Sequence, residues 1–373
     1  MVKFLNDENG DTQWVLVLPP WSENFHWQSE IEQTKIAWSH FFDLESLRRH
    51  VPVIELTDWI KLVGVPSLID DLYYLQNYAD GWINGEWSVR RHIRPCNEKN
   101  SYYTRRESNM TAGWFWGYDI MAKKFNCLSV QNDIGNFLSF LREEVEGQSV
   151  MIDRAETLNH GMYSEWSKEF WTARRSVRFS KSLIATADKF RKDYLDSDDE
   201  RDLTVMDDDW TKQERELGSA KGGPYLAAHL RRNDFTWHDT KEVPSLEYAA
   251  KQLDELMVKL GLKKIFIATD GTASEYKTLK GLLSKYELYR FRPSKKELSK
   301  LLDGGVAVVD QWIAAHARHF IGTSTSTFST RIFEERSLLG MSPDSTFNRV
   351  CGEKEEIRHC RVNQPGRWFP KYN

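Results

Sequence analysis

With 373 residues the chain is longer than one hydrophobic core usually serves, so two domains are expected. Hydrophobic residues make up 40% and charged residues 28%, an ordinary globular composition, and the formal net charge is −4. No Lys/Arg block is present, which sets nucleic-acid binding aside, and no apolar run approaches the ~18 residues of a membrane span.

The first residues, MVKFLNDENGDTQ, are polar and show no signal peptide. The run WVLVLPP (Trp14 to Pro20) reads as a core strand, so close to the start that upstream elements are expected to be missing. VPVIEL (Val51 to Leu56) reads as a second buried strand. Aromatic loops, WSENFHWQ (Trp21 to Gln28) and GWFWGY (Gly113 to Tyr118), give this half a less regular pattern. The stretch Lys192 to Glu216 is crowded with charge and reads as a solvated face or linker. A boundary near residue 220 follows, with domains over 1–220 and 221–373.

The second half alternates strand and helix, the signature of a parallel sheet wrapped by helices. Tyr225 to Leu230 is a strand ending in two arginines, Arg231 and Arg232. Ser245 opens a helix that Gly261 closes, and KIFIATD (Lys264 to Asp270) is the next strand. Thr272 with Glu275 and Ser294 with Glu297 fit capping boxes. LYRF (Leu288 to Phe291) is a short strand, Gly305 to Arg318 a helix, and HFIG at His319 a further strand. An unbroken hydroxyl run, Thr323 to Thr327, then leads into a helix over Thr330 to Leu339.

In open α/β sheets ligands sit where strands end and helices begin. Arg231 brings a rigid guanidinium fork suited to a diphosphate, with a surface ion pair to Asp234 as the plain alternative. His229 shares its strand face and could donate to phosphate or ribose, although a lone His is more often a satisfied core residue. Ser324 to Thr327 offer hydroxyls and free N–H groups, equally the makings of a simple N-cap, and Phe328 could stack on a base. Asp310 could accept two hydrogens from guanine, or merely answer a helix dipole. Glu55 ends its strand where a general base would stand, and where a surface Glu would stand too.

Asp196-Ser197-Asp198 matches a metal-binding D-x-D but follows no strand, and His316 with His319 lack further ligands, so no metal site is expected. Cys96 with Cys127 and Cys351 with Cys360 form two local groups without a C-x-x-C. Two disulfides and free buried thiols are both compatible with them. Asn109-Met110-Thr111 is a glycosylation acceptor motif.

Taken together, WVLVLPPW (14–21), FFDLESL (41–47), PVIE (52–55), GWFWGY (113–118), DRAE (153–156) and GSAKGGPYLAAHLRRNDF (218–235) resemble the protein O-fucosyltransferase family. So do ATD (268–270), GGVAVVDQWIAAHAR (304–318) and GTSTSTFSTRIFEER (322–336), in collinear order over nearly the whole chain. The resemblance implies a GT-B-like α/β fold, two Rossmann-like domains facing a central cleft, the N-terminal one truncated. It implies an inverting, metal-independent transfer of fucose from GDP-fucose to Ser or Thr of folded thrombospondin type 1 repeats, in the endoplasmic reticulum lumen. EGF-like repeats as acceptor, or a non-catalytic repeat-binding folding helper, are the alternatives. A monomer is expected.

By the same resemblance Glu55 falls on the catalytic base and Arg231 on the arginine that stabilises departing GDP. His229, Leu230, Arg231, Asp310, Ser326, Thr327 and Phe328 fall on GDP-contacting positions, with Asp310 on the base. Glu335 falls on an activity-linked position, where it is expected to brace Arg231 or Arg331. The cysteines become the pairs Cys96–Cys127 and Cys351–Cys360. Two departures stand out: Asn233 replaces a position often Lys, and the family's N-P-x-E-G-F-N loop is missing from the front.

Overall fold

The computed structural model describes residues 2–353 apart from 9–12, 24–28, 65, 76–81, 84–85, 88–90, 97–103, 106–109, 114, 116, 131–133, 155–167, 239–242, 324–325 and 347–348. In the C-terminal half four parallel strands run in the order Glu287–Tyr289, Lys264–Thr269, Gly223–Leu230, Ala317–Gly322. In chain order these are the third, second, first and fourth, so the winding reverses between Gly223–Leu230 and Ala317–Gly322. A crevice opens beyond the strand ends at such a reversal, and ligands bind there.

Alternation along the first strand builds both faces of this sheet. Tyr225 and Ala227 face one core, shared with Phe266, Phe320, Ile313 and the helix residues Leu183 and Ala187. Leu226, Ala228 and Leu230 face the other, filled by Leu253, Leu256 and Met257 of the helix Leu246–Leu260. That helix starts on Ser245, whose side chain accepts from Tyr248 N, and stops at Gly261 in the left-handed conformation. Both expected capping boxes, Thr272 with Glu275 and Ser294 with Glu297, are formed.

The second of these opens a helix, Lys295–Ala315, that begins ten residues before the expected Gly305. It is interrupted at Leu302, where φ is 61° and ψ 170°. That break explains why a single helical period did not extend across it.

The N-terminal half is more regular than its aromatic loops suggest. Leu16–Leu18 pairs in parallel with Val53–Glu55. A six-stranded mixed sheet is built on Ile120–Val130, which pairs in parallel with Ser67–Leu75 and antiparallel with Arg91–Pro95 and Thr111–Ala112. Val150–Asp153 joins the far side of Ser67–Leu75, also in parallel. A disulfide joins Cys96 to Cys127 across a Cα–Cα distance of 4.8 Å.

The charged stretch Lys192 to Glu216 presents most of its charges to solvent, as expected of a solvated face, but it is pinned to the interior at several points. Arg191 is 1% exposed and its guanidinium donates to Asp188 and Asp199, each at 2.8 Å, and to Ser197. Ser197, Asp202, Thr204 and Trp210 are buried as well. Unlike charges close in sequence neutralise one another, which lets Arg191 and Asp202 enter the interior. Asp196 of the D-x-D pairs with Lys264 at 2.6 Å, while Asp198 caps the short helix Asp199–Asp202.

Candidate active site

The site at the sheet reversal is assembled from two strand ends. Arg231 N donates to Thr323 Oγ1 at 3.1 Å, and Thr323 N donates to the His229 carbonyl at 3.1 Å. On the other flank Thr269 Oγ1 donates to the carbonyl of buried Leu230 at 2.6 Å. Three neighbouring strands are thereby clipped together at the height of Arg231. The arginine pair splits: Arg232 turns to Glu275 at 3.0 Å and to the Pro244 carbonyl at 2.7 Å.

The Arg231 guanidinium donates to Asp234 at 2.6 Å and lies 2.8 Å from Asp270 Oδ2. It also sits over the Phe235 ring, 5.3 Å from its centre. The ion pair that the sequence offered as the plain alternative is therefore formed. Its effect is to fix the fork, 12% exposed, at the mouth of the crevice. Burial raises the Asp270 carboxyl above its ordinary range, against the pull of the Arg232 N–H and the Arg231 charge.

His229 is 4% exposed, bonds Ser329 Oγ through Nδ1 at 2.7 Å, and stacks on Phe328 with ring centres 4.4 Å apart. Burial and the nearby Arg231 push its pKa down to about 3, so the imidazole is neutral. It can hydrogen-bond an oxygen but brings no positive charge. Phe328 gives one ring face to His229.

The helix Thr327–Leu338 begins three residues earlier than expected. Ser326 occupies its N-cap without a side-chain capping bond, and Thr327 is exposed. Ser324 and Thr325 of the hydroxyl run lie outside the described residues. Gly322 lets the helix start approach the strand, because a Cβ there would meet Ser329 Oγ at 2.6 Å and the Phe320 ring at 2.7 Å.

Asp310 projects from the helix Lys295–Ala315, and no donor among the described residues reaches its buried Oδ1. Burial pushes its pKa up to about 8, with the Arg290 charge opposing. Arg290 is anchored on the Thr269 carbonyl at 2.6 Å and the Gly271 carbonyl at 3.2 Å. A buried carboxylate oxygen without a donor is costly to a fold and suits a ligand that brings a hydrogen to it.

Glu55 ends the strand Val53–Glu55, which pairs with Leu16–Leu18. It is 7% exposed, and its two oxygens accept from Trp38 N and Ser39 N, both at 3.0 Å. Burial and the Glu55 charge raise the pKa of Tyr118, whose ring has Lys35 Nζ 4.8 Å above it.

Glu335 does not brace Arg231 or Arg331. It accepts from the buried Arg174 at 2.7 Å, and Arg174 also donates to Glu334 at 2.5 Å. Arg331 turns instead to the Val177 carbonyl at 3.1 Å and lies over the Phe179 ring. Arg174 comes from the helix Lys168–Ser176, 161 residues away in sequence, so no local pattern could reveal the pairing. Asp270, Ser329 and Arg290 were missed for the same reason. Cys351 is disulfide-bonded; Cys360 and Asn109 lie outside the described residues.

Residues 1–339 match the family described as GDP-fucose protein O-fucosyltransferase. The chain belongs to the GDP-fucose protein O-fucosyltransferase family. It is accordingly a glycosyltransferase. Proteins named GDP-fucose protein O-fucosyltransferase 2 support this membership. Those from Pan troglodytes and Homo sapiens are 47% and 46% identical to it, over 96% of this chain and 82% of theirs. The protein of that name from Caenorhabditis elegans is 42% identical over 95% of this chain and 81% of its own. A crystal structure of POFUT1 in complex with GDP superposes with a TM-score of 0.55, covering 90% of this chain and 89% of that one. At 17% identity the likeness speaks for the fold, a GT-B-like α/β arrangement.

Proposed function

We propose that the chain transfers fucose from GDP-fucose to Ser or Thr hydroxyls of folded thrombospondin type 1 repeats. The reaction inverts the anomeric carbon, needs no metal, and takes place in the endoplasmic reticulum lumen with the enzyme as a monomer. The observation that carries the reading is Arg231, fixed at the sheet reversal beside the uncapped start of the helix Thr327–Leu338. Guanidinium and helix N–H groups together meet a diphosphate.

In this mechanism the Glu55 carboxylate takes the acceptor hydroxyl proton while that oxygen attacks C1 of fucose. The bond from C1 to the phosphate oxygen breaks, and the electron pair leaves with GDP. Arg231 and the helix start receive the growing charge, a preorganised stabilisation that takes the place of a metal ion. One displacement gives inversion. Neutral His229 hydrogen-bonds the nucleotide, and Ser326, Thr327 and Phe328 line its path. Asp310 accepts the two hydrogens of the guanine edge.

The acceptor class is tested by mixing the protein with GDP-fucose and a folded thrombospondin repeat, without added metal, and weighing the repeat. A gain of one deoxyhexose is expected, with none on an EGF-like repeat offered in parallel. Transfer to the EGF-like repeat alone would overturn the acceptor assignment. Repeat binding with no affinity for GDP would replace the enzyme by a folding helper.

A further inference from the structure

Glu55 owes its position to the backbone N–H groups of Trp38 and Ser39. These open the helix Trp38–Phe41, a single turn of four residues. A turn that short does not hold itself in water, so something outside must fix it.

On one side Ser180 N donates to the Phe41 carbonyl at 2.8 Å and Ser180 Oγ to the His40 carbonyl at 3.1 Å; on the other, three contacts land on one place. Gln33, only 4% exposed, donates to Asp303 Oδ2 at 2.6 Å and accepts from Asp303 N at 2.9 Å. His40 Nε2 donates to the Leu301 carbonyl at 3.2 Å. The Phe41 ring lies so close to Gly304 that a Cβ there would meet it at 2.6 Å. Residues 301–304 are the kink of the helix Lys295–Ala315, where Leu302 adopts a φ of 61° and a ψ of 170°. That region is almost reserved for glycine, and a leucine held in it marks a segment whose surroundings dictate its shape. The kink takes the Asp303 N–H and the Leu301 carbonyl out of the helical ladder and points them at Gln33 and His40. Two helical turns further on, the same helix carries Asp310.

We propose that Gln33 is a positioning residue, whose two-point bridge to Asp303 locks the Glu55-holding turn onto the kinked helix that carries Asp310. The inference rests on the reading of Glu55 as the base. Through the bridge, the element presenting the base and the element presenting the nucleotide's partner share one rigid seat. Without it the turn keeps only its Ser180 side, and the two N–H groups that aim the carboxylate lose one half of their seat.

The test uses the full chain with GDP-fucose and a folded repeat. Gln33→Ala is expected to lower kcat by roughly 10- to 100-fold, the range a misplacement of about 1 Å produces. Its KM for GDP-fucose and its Kd for GDP should stay within about twofold of wild type, since the nucleotide site is untouched. Asp303→Ala should behave alike, and Asp303→Asn, which keeps an accepting oxygen and the backbone N–H, should restore most of the rate. An unchanged kcat in Gln33→Ala overturns the proposal. So does an equal loss of GDP binding, which a merely structural bridge would cause. If Gln33→Ala melts below assay temperature, the same outcomes are read from His40→Phe, which loses only the bond to Leu301. Glu55→Gln run alongside separates the two ideas. Wild-type turnover there removes the base reading, whereas an inactive Glu55→Gln beside an unimpaired Gln33→Ala removes the bridge alone.

Discussion

Arg231 is ion-paired on both flanks, and the same ion pairs preset it for the phosphate role proposed for it. Asp234 and Asp270 hold its fork in place before any phosphate arrives. Replacing it by Ala should lower turnover by roughly 10²–10³, the effect of removing one electrostatic clamp on developing charge. Steady-state kinetics checks this, and a rate near wild type would remove Arg231 from the mechanism. Asp310 allows a prediction with a sign. Its folded pKa is raised to about 8, so at pH 6–7 the free protein holds it protonated, while guanine requires the carboxylate. Binding must then expel a proton, and GDP affinity should rise by about tenfold per pH unit below that pKa. Titration calorimetry at pH 6 and 7 reads the slope, which should vanish in Asp310→Asn. A flat profile in the wild type would exclude Asp310 from the base contact. At this scale Arg231 and Asp234 were legible because they sit three residues apart on one strand end. Thr323, 92 residues away, was visible only as part of a hydroxyl run.

Elements were most legible where their signals are local. Ser245, Thr272 and Ser294 mark helix starts because their hydroxyls satisfy neighbouring N–H groups, as the structure bears out. Ser294→Ala should therefore lower stability by about 1 kcal/mol in denaturant unfolding. The segment after Lys192 does expose most of its charges; what a run of charge could not reveal is the buried Arg191, held by Asp188 and Asp199 at the surface edge. The Arg174 cluster is the other non-local device. It ties the helix Lys168–Ser176 to Thr327–Leu338, whose far end is the proposed anion site. Arg174→Ala leaves Glu335 buried without its partner and should destabilise the fold by about 3–5 kcal/mol. A melting temperature unchanged from wild type would show the pair to be unimportant.

For the whole molecule, strand–helix alternation after Tyr225 already implied a parallel sheet, and the observed order places its reversal at Arg231. The N-terminal sheet was hidden for a physical reason. Its long strand Ile120–Val130 reads IMAKKFNCLSV, in which two lysines break the apolar run, and its partners return from distant parts of the chain. Asp71 within Ser67–Leu75 is buried yet polar, satisfied by Gly147 N at 3.1 Å. Such non-local pairings obey no short period.

Glu55, the proposed base, ends a strand paired with Leu16–Leu18, and Arg231, the proposed clamp, follows a strand of the C-terminal sheet. The most direct measurement is the single-turnover rate of fucose transfer by Glu55→Gln, with GDP affinity measured on the same sample. Glutamine keeps one accepting oxygen for the N–H groups of Trp38 and Ser39 but accepts no proton. A fall of roughly 10²–10⁴ in rate with unaltered GDP affinity is expected. Transfer at the wild-type rate would contradict the account.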